Sequence, residues 1–302
     1  MHSTIQAKQI AQTLGLELVG DDITISDYSQ LSDIKSHSVV FAKRFAEDIV
    51  DLLNNRNDLL AIVTPEYAGK ISCAHIISKQ PRLDFIRVLD HFFLIKPAEG
   101  MIHKSAVIEE GAVIGKNVSI GANCYVSAQC QIGESTRLHA NVVLDNKVII
   151  GEHCEIKSGA VIGQSGFGFE RDSHGNPVTF PHFGGVIIGN HVYIGANTCI
   201  DRGTLGDTII ENNVKIDNLV HVAHNCNIRE NAFVIAGTIL GGGTQIGEGC
   251  WIAPNSTIKE HTIINNHALI GLGAVVLREV EEGTVMVGNP ARKLEKRATN
   301  EQ

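Results

Sequence analysis

The sequence predicts a parallel β-helix built from hexapeptide repeats, preceded by a small α/β domain. Two observations predict the β-helix. Ile210, Ile216, Val222, Ile228, Val234, Leu240, Ile246, Ile252, Ile258, Ile264, Ile270 and Val276 recur at every sixth position without a slip. Four places after each stands a residue that is usually small, among them Cys226, Ala232, Thr238, Thr244, Cys250, Ser256, Ala268 and Ala274. An α-helix turns every 3.6 residues and does not keep a strict six on one face, whereas a strand places residues two apart on the same side. The small residue and the next aliphatic are two apart, so both point inward on one short strand, and the three residues between form a corner. A third observation separates the N-terminal part: residues 1 to 98 do not repeat.

Within that N-terminal part, Thr4 to Leu14 has helical spacing and stops at Gly15. Ser38–Ala42 and Leu59–Val63 are short apolar runs that read as strands, and Phe45 to Asn54 reads as helical. Arg82 to Phe93 reads as a helix opening after Pro81. Strands alternating with helices give a small α/β domain over 1–98. Residues 95–100 read as a linker.

The repeat begins at Ile102 and runs through Ile108, Ile114, Ile120, Val126, Ile132, Leu138, Leu144, Ile150, Ile156 and Ile162. It breaks between Gly166 and about Val186, in a stretch rich in Gly, Phe, His and Pro, and resumes with Ile188, Ile194 and Ile200. Such an excursion from a solenoid is often functional. An insertion of four residues around Arg202-Gly203-Thr204-Leu205 shifts the phase once more before Ile210. The β-helix domain spans 99–292, with a tail at 293–302. About nine turns at roughly 4.8 Å make a prism on the order of 40 Å long.

A net charge of −8 argues against nucleic-acid binding or an anionic membrane. No apolar run approaches a membrane span and the N-terminus lacks a signal-peptide core. A cytoplasmic protein with no membrane insertion is the expectation. Five of the seven cysteines (Cys124, Cys130, Cys154, Cys226 and Cys250) fall at the small inward position and read as buried hydrophobes, without disulfides or metal thiolates.

The hexads resemble the left-handed β-helix acyltransferases, and the left hand is implied by that resemblance alone. Over residues 4–292 the chain is similar to the UDP-3-O-(3-hydroxyacyl)glucosamine N-acyltransferase family of lipid A biosynthesis. The matching segments are Gly166-Phe167-Gly168-Phe169, Ile194-Gly195-Ala196-Asn197-Thr198, Ile200-Asp201-Arg202-Gly203, Lys215-Ile216-Asp217-Asn218 and His224-Asn225. The N-terminal domain resembles that family's uridine-binding domain. Only about ten residues follow Arg292, where the family has helices that engage acyl carrier protein. Ile270-Gly271-Leu272-Gly273-Ala274-Val275-Val276 and Gly288-Asn289-Pro290-Ala291-Arg292 look more like the last coils of acetyl-CoA-dependent sugar acetyltransferases. These two departures favour acetyl-CoA as co-substrate over acyl carrier protein, with no permanently bound cofactor. The expected activity is N-acetylation of a UDP-linked amino sugar for a surface glycan such as O-antigen. The lipid A enzyme with a 3-hydroxyacyl carrier protein is the alternative. The resemblance also implies a homotrimer with sites between neighbouring prisms.

N-acylation of an ammonium needs a base near neutral pH, which suits histidine. His224, in the corner of His221-Val222-Ala223-His224-Asn225-Cys226, matches the family's catalytic base. His261 lies 37 residues on, two coils of eighteen plus one, near the same edge. The resemblance gives it a part in the acyl-donor or oxyanion environment; a surface histidine is the other reading. Asp217 matches a family aspartate that orients a histidine, although it lies on a different hexad face from His224. Asn218 and Asn225 either bond substrate or serve as tight-corner residues.

Phe41 matches the family's uracil-stacking aromatic, and equally suits a core position at the end of a strand. Phe45 is a candidate second face, and Lys43 or Arg44 a phosphate contact, where the family pattern differs. Gly271, Gly273 and Ala274 are small where a pantetheine arm would lie, and equally suit a tight corner. Arg292 is a candidate for CoA phosphates or a solvated charge.

Two readings from other classes remain. A metal hydratase resembling γ-type carbonic anhydrases needs three converging histidines, for which His221, His224 and His261 are the candidate set, but the spacing puts His221 and His224 on opposite sides of a strand. No metal is expected. A non-catalytic β-helix would present one regular face, and here the outward positions vary.

Overall fold

The computed structural model describes residues 4–95 and 99–294. The chain separates into two compact units, Met1–Pro97 and Ala98–Gln302.

The first unit is built on a five-stranded sheet in the order Leu18–Val19, Ala74–Ile77, Leu59–Val63, Ser38–Ala42, Asp27–Tyr28. All pairs are parallel except that of Leu18–Val19 with Ala74–Ile77. Helix α1 (Ala7–Leu14) is shorter than its sequence pattern, because Ile5–Gln6 is extended and pairs with Thr24–Ile25. It ends where Gly15 takes a φ of 67° and its N–H reaches back to the carbonyls of Ala11 and Gln12, a left-handed cap that glycine adopts without a Cβ penalty. Helix α2 (Glu47–Asn54) opens two residues later than expected, with Glu47 and Asp48 in its first turn. Helix α3 (Pro81–Val88) starts on its proline and loosens into a wider π turn over Leu89–Phe93. The strands at Ser38–Ala42 and Leu59–Val63 have the limits read from sequence. The short strand Ala74–Ile77 is a further element. The linker falls partly outside the described residues, as do residues 295–302.

The second unit is a parallel β-solenoid. Each coil contributes one strand to each of three sheets of ten, nine and eight strands. Along the solenoid, strands pair in parallel eighteen residues apart, as in His221↔Ile239, Trp251↔Leu269 and Gln245↔Ile263. Nine strands line one face from Val107–Ile108 to Val275–Val276, giving about nine coils. The aliphatic and small positions both face inward: Ile216, Val222, Ile228, Cys226, Ala232 and Ala274 are fully buried. This follows from the period of two within each strand. Inward hydroxyls are hydrogen-bonded: Thr238 Oγ1 donates to the Ile235 carbonyl at 2.7 Å, and Ser256 Oγ to that of Ala253 at 2.6 Å. Five cysteines also line this interior, and burial pushes the Cys226 thiol up to about 12.

Many corners carry a residue of positive φ, often asparagine: Asn213, Asn225, Asn231 and Asn255 all lie near 60°. Asparagine tolerates that region better than most side chains. Beyond Val276 the chain adds Val285–Val287 to one sheet and closes with Arg292–Lys293 antiparallel to it, so Lys293 still belongs to the β-structure. The break in the repeat is a hairpin, Phe169–Arg171 against Pro177–Thr179. The repeat resumes at Val186–Ile188, in register with Val148–Ile150.

Candidate active site

The two irregularities of the solenoid meet at one corner. The Phe183 and Gly184 N–H groups donate to the Thr204 carbonyl at 2.6 and 3.0 Å, which lays the end of the excursion on the four-residue insertion. Asp207 anchors both, accepting from the Gly185 N–H at 2.6 Å and pairing with Lys147. The insertion rests in turn on the next coil, where the Thr204 N–H and hydroxyl donate to Asn225 Oδ1 at 3.2 and 3.0 Å. Further along the same corner come Gly242 and Gly243, then His261. The Gly243 N–H reaches the His224 carbonyl at 2.9 Å and the His261 N–H the Gly242 carbonyl at 2.8 Å. His224 and His261 thus stand two rungs apart on one edge, on the order of 10 Å along the axis.

The half-buried His224 ring is oriented from two sides. Its Nδ1 lies 2.9 Å from Asn225 Oδ1. That oxygen already accepts from a backbone N–H, so the atom is an acceptor and His224 Nδ1 must be the donor. The tautomer follows: Nε2 carries a free lone pair. On the other side the ring lies against Gly242, where an added Cβ would sit 2.8 Å from Cε1 and 2.9 Å from Nε2. The corner therefore holds an imidazole whose Nδ1 is locked as donor and whose Nε2 is left open. Replacing Asn225 with alanine removes that lock. The expected result is a kcat lower by roughly 10–10²-fold with an intact solenoid, measured by steady-state kinetics and circular dichroism.

Around this ring lies a cluster that sequence reasoning missed. Asp201, from the strand Cys199–Arg202, has a side chain only 14% exposed and stands 3.8 Å from His221 Nε2. Burial raises its pKa, while the charges of His221, His224 and His182 oppose that rise. His182, from the excursion, stacks edge-on to His224 with ring centroids 5.4 Å apart. Glycines of the Gly166-Phe167-Gly168-Phe169 segment make room for it. A Cβ on Gly166 would lie within 3.2 Å of His224 Cδ2, Asp201 Oδ2 and His182 Nε2, and one on Gly168 would lie 2.9 Å from His182 Cε1. The two phenylalanines point outward, 88% and 50% exposed. The signal for this cluster was the Ile200-Asp201-Arg202-Gly203 match next to the phase shift, but nothing periodic links residue 182 to 201 or 224.

Other candidates stand elsewhere. Asp217 is not brought to His224 in this chain; its Oδ1 accepts the Asn218 N–H at 2.7 Å at another corner. Asn218 Oδ1 is taken by the Ala196 N–H at 2.6 Å, which ties neighbouring coils together. Asn225, expected on substrate, spends its oxygen on His224 and Thr204. His261 is exposed, with its ring over Gly243. Ala274, expected beside the acyl donor, is fully buried and turns its methyl into the core. Its place in the inward row of the repeat dictates this. Gly271 faces Val287, and Gly273 opens onto free space with a φ of 61°. Arg292 lines a terminal cleft of about 460 Å³ with Arg278, Glu281 and Lys293.

In the first unit, Phe41 is half-buried against Phe85 at 4.9 Å. Phe45 packs instead on Tyr67 at 5.1 Å, with Lys70 Nζ 3.9 Å from its ring centre. The two aromatics belong to different packing clusters and do not face each other as a clamp. Lys43 and Arg44 are exposed. Among the described residues, no group of three histidine, cysteine or acidic side chains has the geometry to hold a metal ion, and no helix is long and apolar enough to cross a membrane.

Comparison with known proteins agrees with this architecture. Residues 243–278 match the bacterial transferase hexapeptide family (six repeats), residues 185–220 the hexapeptide repeat of succinyl-transferase, and residues 97–165 the GMPPB C-terminal domain. The chain is 38% identical over 214 residues to UDP-3-O-acylglucosamine N-acyltransferase 2 of Legionella pneumophila (strain Lens), covering 64% of this chain and 61% of that one. It is 34% identical over 232 residues to the UDP-3-O-acylglucosamine N-acyltransferase of Xanthomonas axonopodis pv. citri (strain 306), covering 70% and 67%. The match to the Legionella protein thus spans about three fifths of that relative's length. Among solved structures, LpxA from Acinetobacter baumannii aligns with a TM-score of 0.59 and 27% identity, over 64% of this chain and 73% of that one. The UDP-N-acetylglucosamine O-acyltransferase (LpxA) of Moraxella catarrhalis RH4 aligns equally well, with the same score, identity and coverage.

Proposed function

Because this chain belongs to the UDP-3-O-acylglucosamine N-acyltransferase family of left-handed hexapeptide-repeat proteins, we propose that it moves an acyl group from a thioester onto the amine of a UDP-linked 3-O-acylglucosamine. The observation that carries this reading is the His224 imidazole, locked by Asn225 so that Nε2 is an open base at a corner of the solenoid. In this mechanism Nε2 takes a proton from the attacking nitrogen as its lone pair reaches the thioester carbonyl carbon. The tetrahedral oxyanion then collapses, and the carbon–sulfur bond breaks. His224 returns its proton to the departing thiolate. His261, further along the corner, is placed to serve the oxyanion or the donor.

The relatives are named for acyl transfer rather than for the acetyl transfer expected at first, and Ala274 offers no side chain to a CoA arm. We therefore assign acyl carrier protein as the donor's carrier, lipid A assembly as the process, and a cytoplasmic homotrimer as the working form. Asp217 is then assigned to the site of a neighbouring prism, beside that site's own Asp201. Phe41, with Lys43 or Arg44, is assigned to the uridine diphosphate. A donor screen tests this. The protein is mixed with a UDP-3-O-acylglucosamine and either a 3-hydroxyacyl carrier protein or acetyl-CoA, and the product is read by mass. Faster acylation from the carrier protein is the expected result. Preference for acetyl-CoA would restore the acetyltransferase reading, and no amide product from either donor would remove N-acyl transfer.

A further inference from the structure

The excursion that breaks the repeat touches the candidate base twice, once directly and once through the insertion. The direct contact is His182. This residue is 8% exposed, and its ring lies edge-on to that of His224, with centroids 5.4 Å apart and planes at 77°. Ring pairs crossed in this way favour one mutual orientation. His182 is itself held. Its Nδ1 lies 2.9 Å from the Phe180 carbonyl, which can only accept, so Nδ1 is the donor. Phe180 is tied in turn by its N–H to the Gly168 carbonyl at 2.9 Å. Glycine at 166 and 168 lets the chain lie this close over His182, since a Cβ at either position would come within 3.2 Å of its ring.

The indirect contact starts one residue later. The N–H groups of Phe183 and Gly184 hold the Thr204 carbonyl at 2.6 and 3.0 Å. Thr204 donates its own N–H and hydroxyl to Asn225 Oδ1, the atom that accepts from His224 Nδ1. The contacts therefore close a circle: His224, His182, Phe183, Thr204, Asn225 and back to His224. Within it the plane of the imidazole is set from one side and its tautomer from the other, and residues 180–184 bear on both. The coils supply Asn225 and the bare backbone of Gly242, but nothing in them fills the side where His182 stands. His182 brings no chemistry of its own, because its Nε2 is buried without a hydrogen-bond partner.

We propose that residues 180–184 are a positioning device for the base, with His182 as the flat wedge beside His224 that keeps Nε2 turned toward the reacting nitrogen. The proposal rests on the reading of His224 as the base of an N-acyltransferase. His182 acts only through His224 and is a positioning residue. What the reaction needs from it is shape, a planar ring of this size in this place, and not a titrating nitrogen. Phenylalanine meets that need. It gives up the Nδ1 bond to the Phe180 carbonyl but also removes a nitrogen buried without a partner, so the two changes oppose each other. Alanine leaves the wedge out, and the His224 ring then gains a second rest position. A base that spends part of its time turned away lowers kcat, while the sugar nucleotide binds as before.

The test uses the full chain and the variants His182→Ala and His182→Phe, with a UDP-3-O-acylglucosamine and a 3-hydroxyacyl carrier protein. For His182→Ala we expect kcat to fall by about 10-fold with KM for the sugar nucleotide within about two-fold of the parent. His182→Phe should bring kcat back to within about three-fold of the parent. Should a thermal melt show that alanine prevents folding, His182→Leu takes its place, since it fills the space without a flat ring. A parent-like kcat in His182→Ala, or the same loss in the alanine and phenylalanine proteins, overturns the proposal. NMR of the His224 imidazole nitrogens in the unliganded chain gives a readout that needs no turnover. The parent should show one tautomer with its hydrogen on Nδ1, His182→Ala a mixture of two, and His182→Phe the parent pattern. An unchanged His224 pattern in His182→Ala would sink the idea even if the donor screen succeeds. If no acyl transfer is detected from either donor, the functional reading fails by itself, and the nitrogen signals still decide whether His182 holds the ring.

Discussion

Replacing His224 with alanine should lower kcat by about 10²–10⁴-fold while leaving KM for the sugar nucleotide within a few-fold. That range corresponds to about 3–5 kcal/mol of transition-state stabilisation. The effect belongs to kcat because the Nε2 lone pair is used only as the nitrogen gives up its proton. The ring lies at the rim of the solenoid rather than in its core, so its loss costs little in packing. Steady-state kinetics beside a thermal melt separate the two contributions. A variant that melts like the parent and turns over at a near-normal rate would show that the base lies elsewhere.

The second large effect comes from a residue with no chemistry of its own. A Cβ at position 242 would lie 2.8–2.9 Å from two atoms of the His224 ring. An imidazole swings about its own side-chain bonds more readily than a coil shifts, so the substitution moves the ring. Gly242→Val should cut kcat by about 10²-fold, since displacements near 1 Å can cost that much, and Gly242→Ala by less. Melting temperature should change little in either. Equal activity in the glycine and valine proteins would mean that the ring position at this corner is unimportant to the reaction.

The fold was largely legible because the hexad obliges every inward position to be small or aliphatic. Twelve unbroken members from Ile210 to Val276 leave no other regular structure, and the buried rows match them residue by residue. In the first unit Ser38–Ala42 and Leu59–Val63 stood out as apolar runs. Leu18–Val19 is too short to carry a pattern, and Ala74–Ile77 is broken by His75, whose Nδ1 lies 2.8 Å from the Cys73 carbonyl. The site was legible only where it coincided with a motif. His224 could be named from His224-Asn225, but the role of Asn225 required seeing three donors on one oxygen. His182 and Asp201 are joined by the folding of an excursion onto an insertion, and a period of six says nothing about segments that depart from it. Ala274 shows the opposite failure: a small residue in the repeat was read as space for a ligand, when the repeat itself turns it inward.

The distribution of thiols has a practical consequence. Six of the seven cysteines are enclosed, and Cys199 alone is exposed, on the strand that carries Asp201 and beside His221 in the next rung. A maleimide dye offered to the native chain should therefore react at one atom without any prior mutagenesis. The attached fluorophore would sit next to the reacting corner, and its emission would follow arrival and departure of the sugar nucleotide in real time.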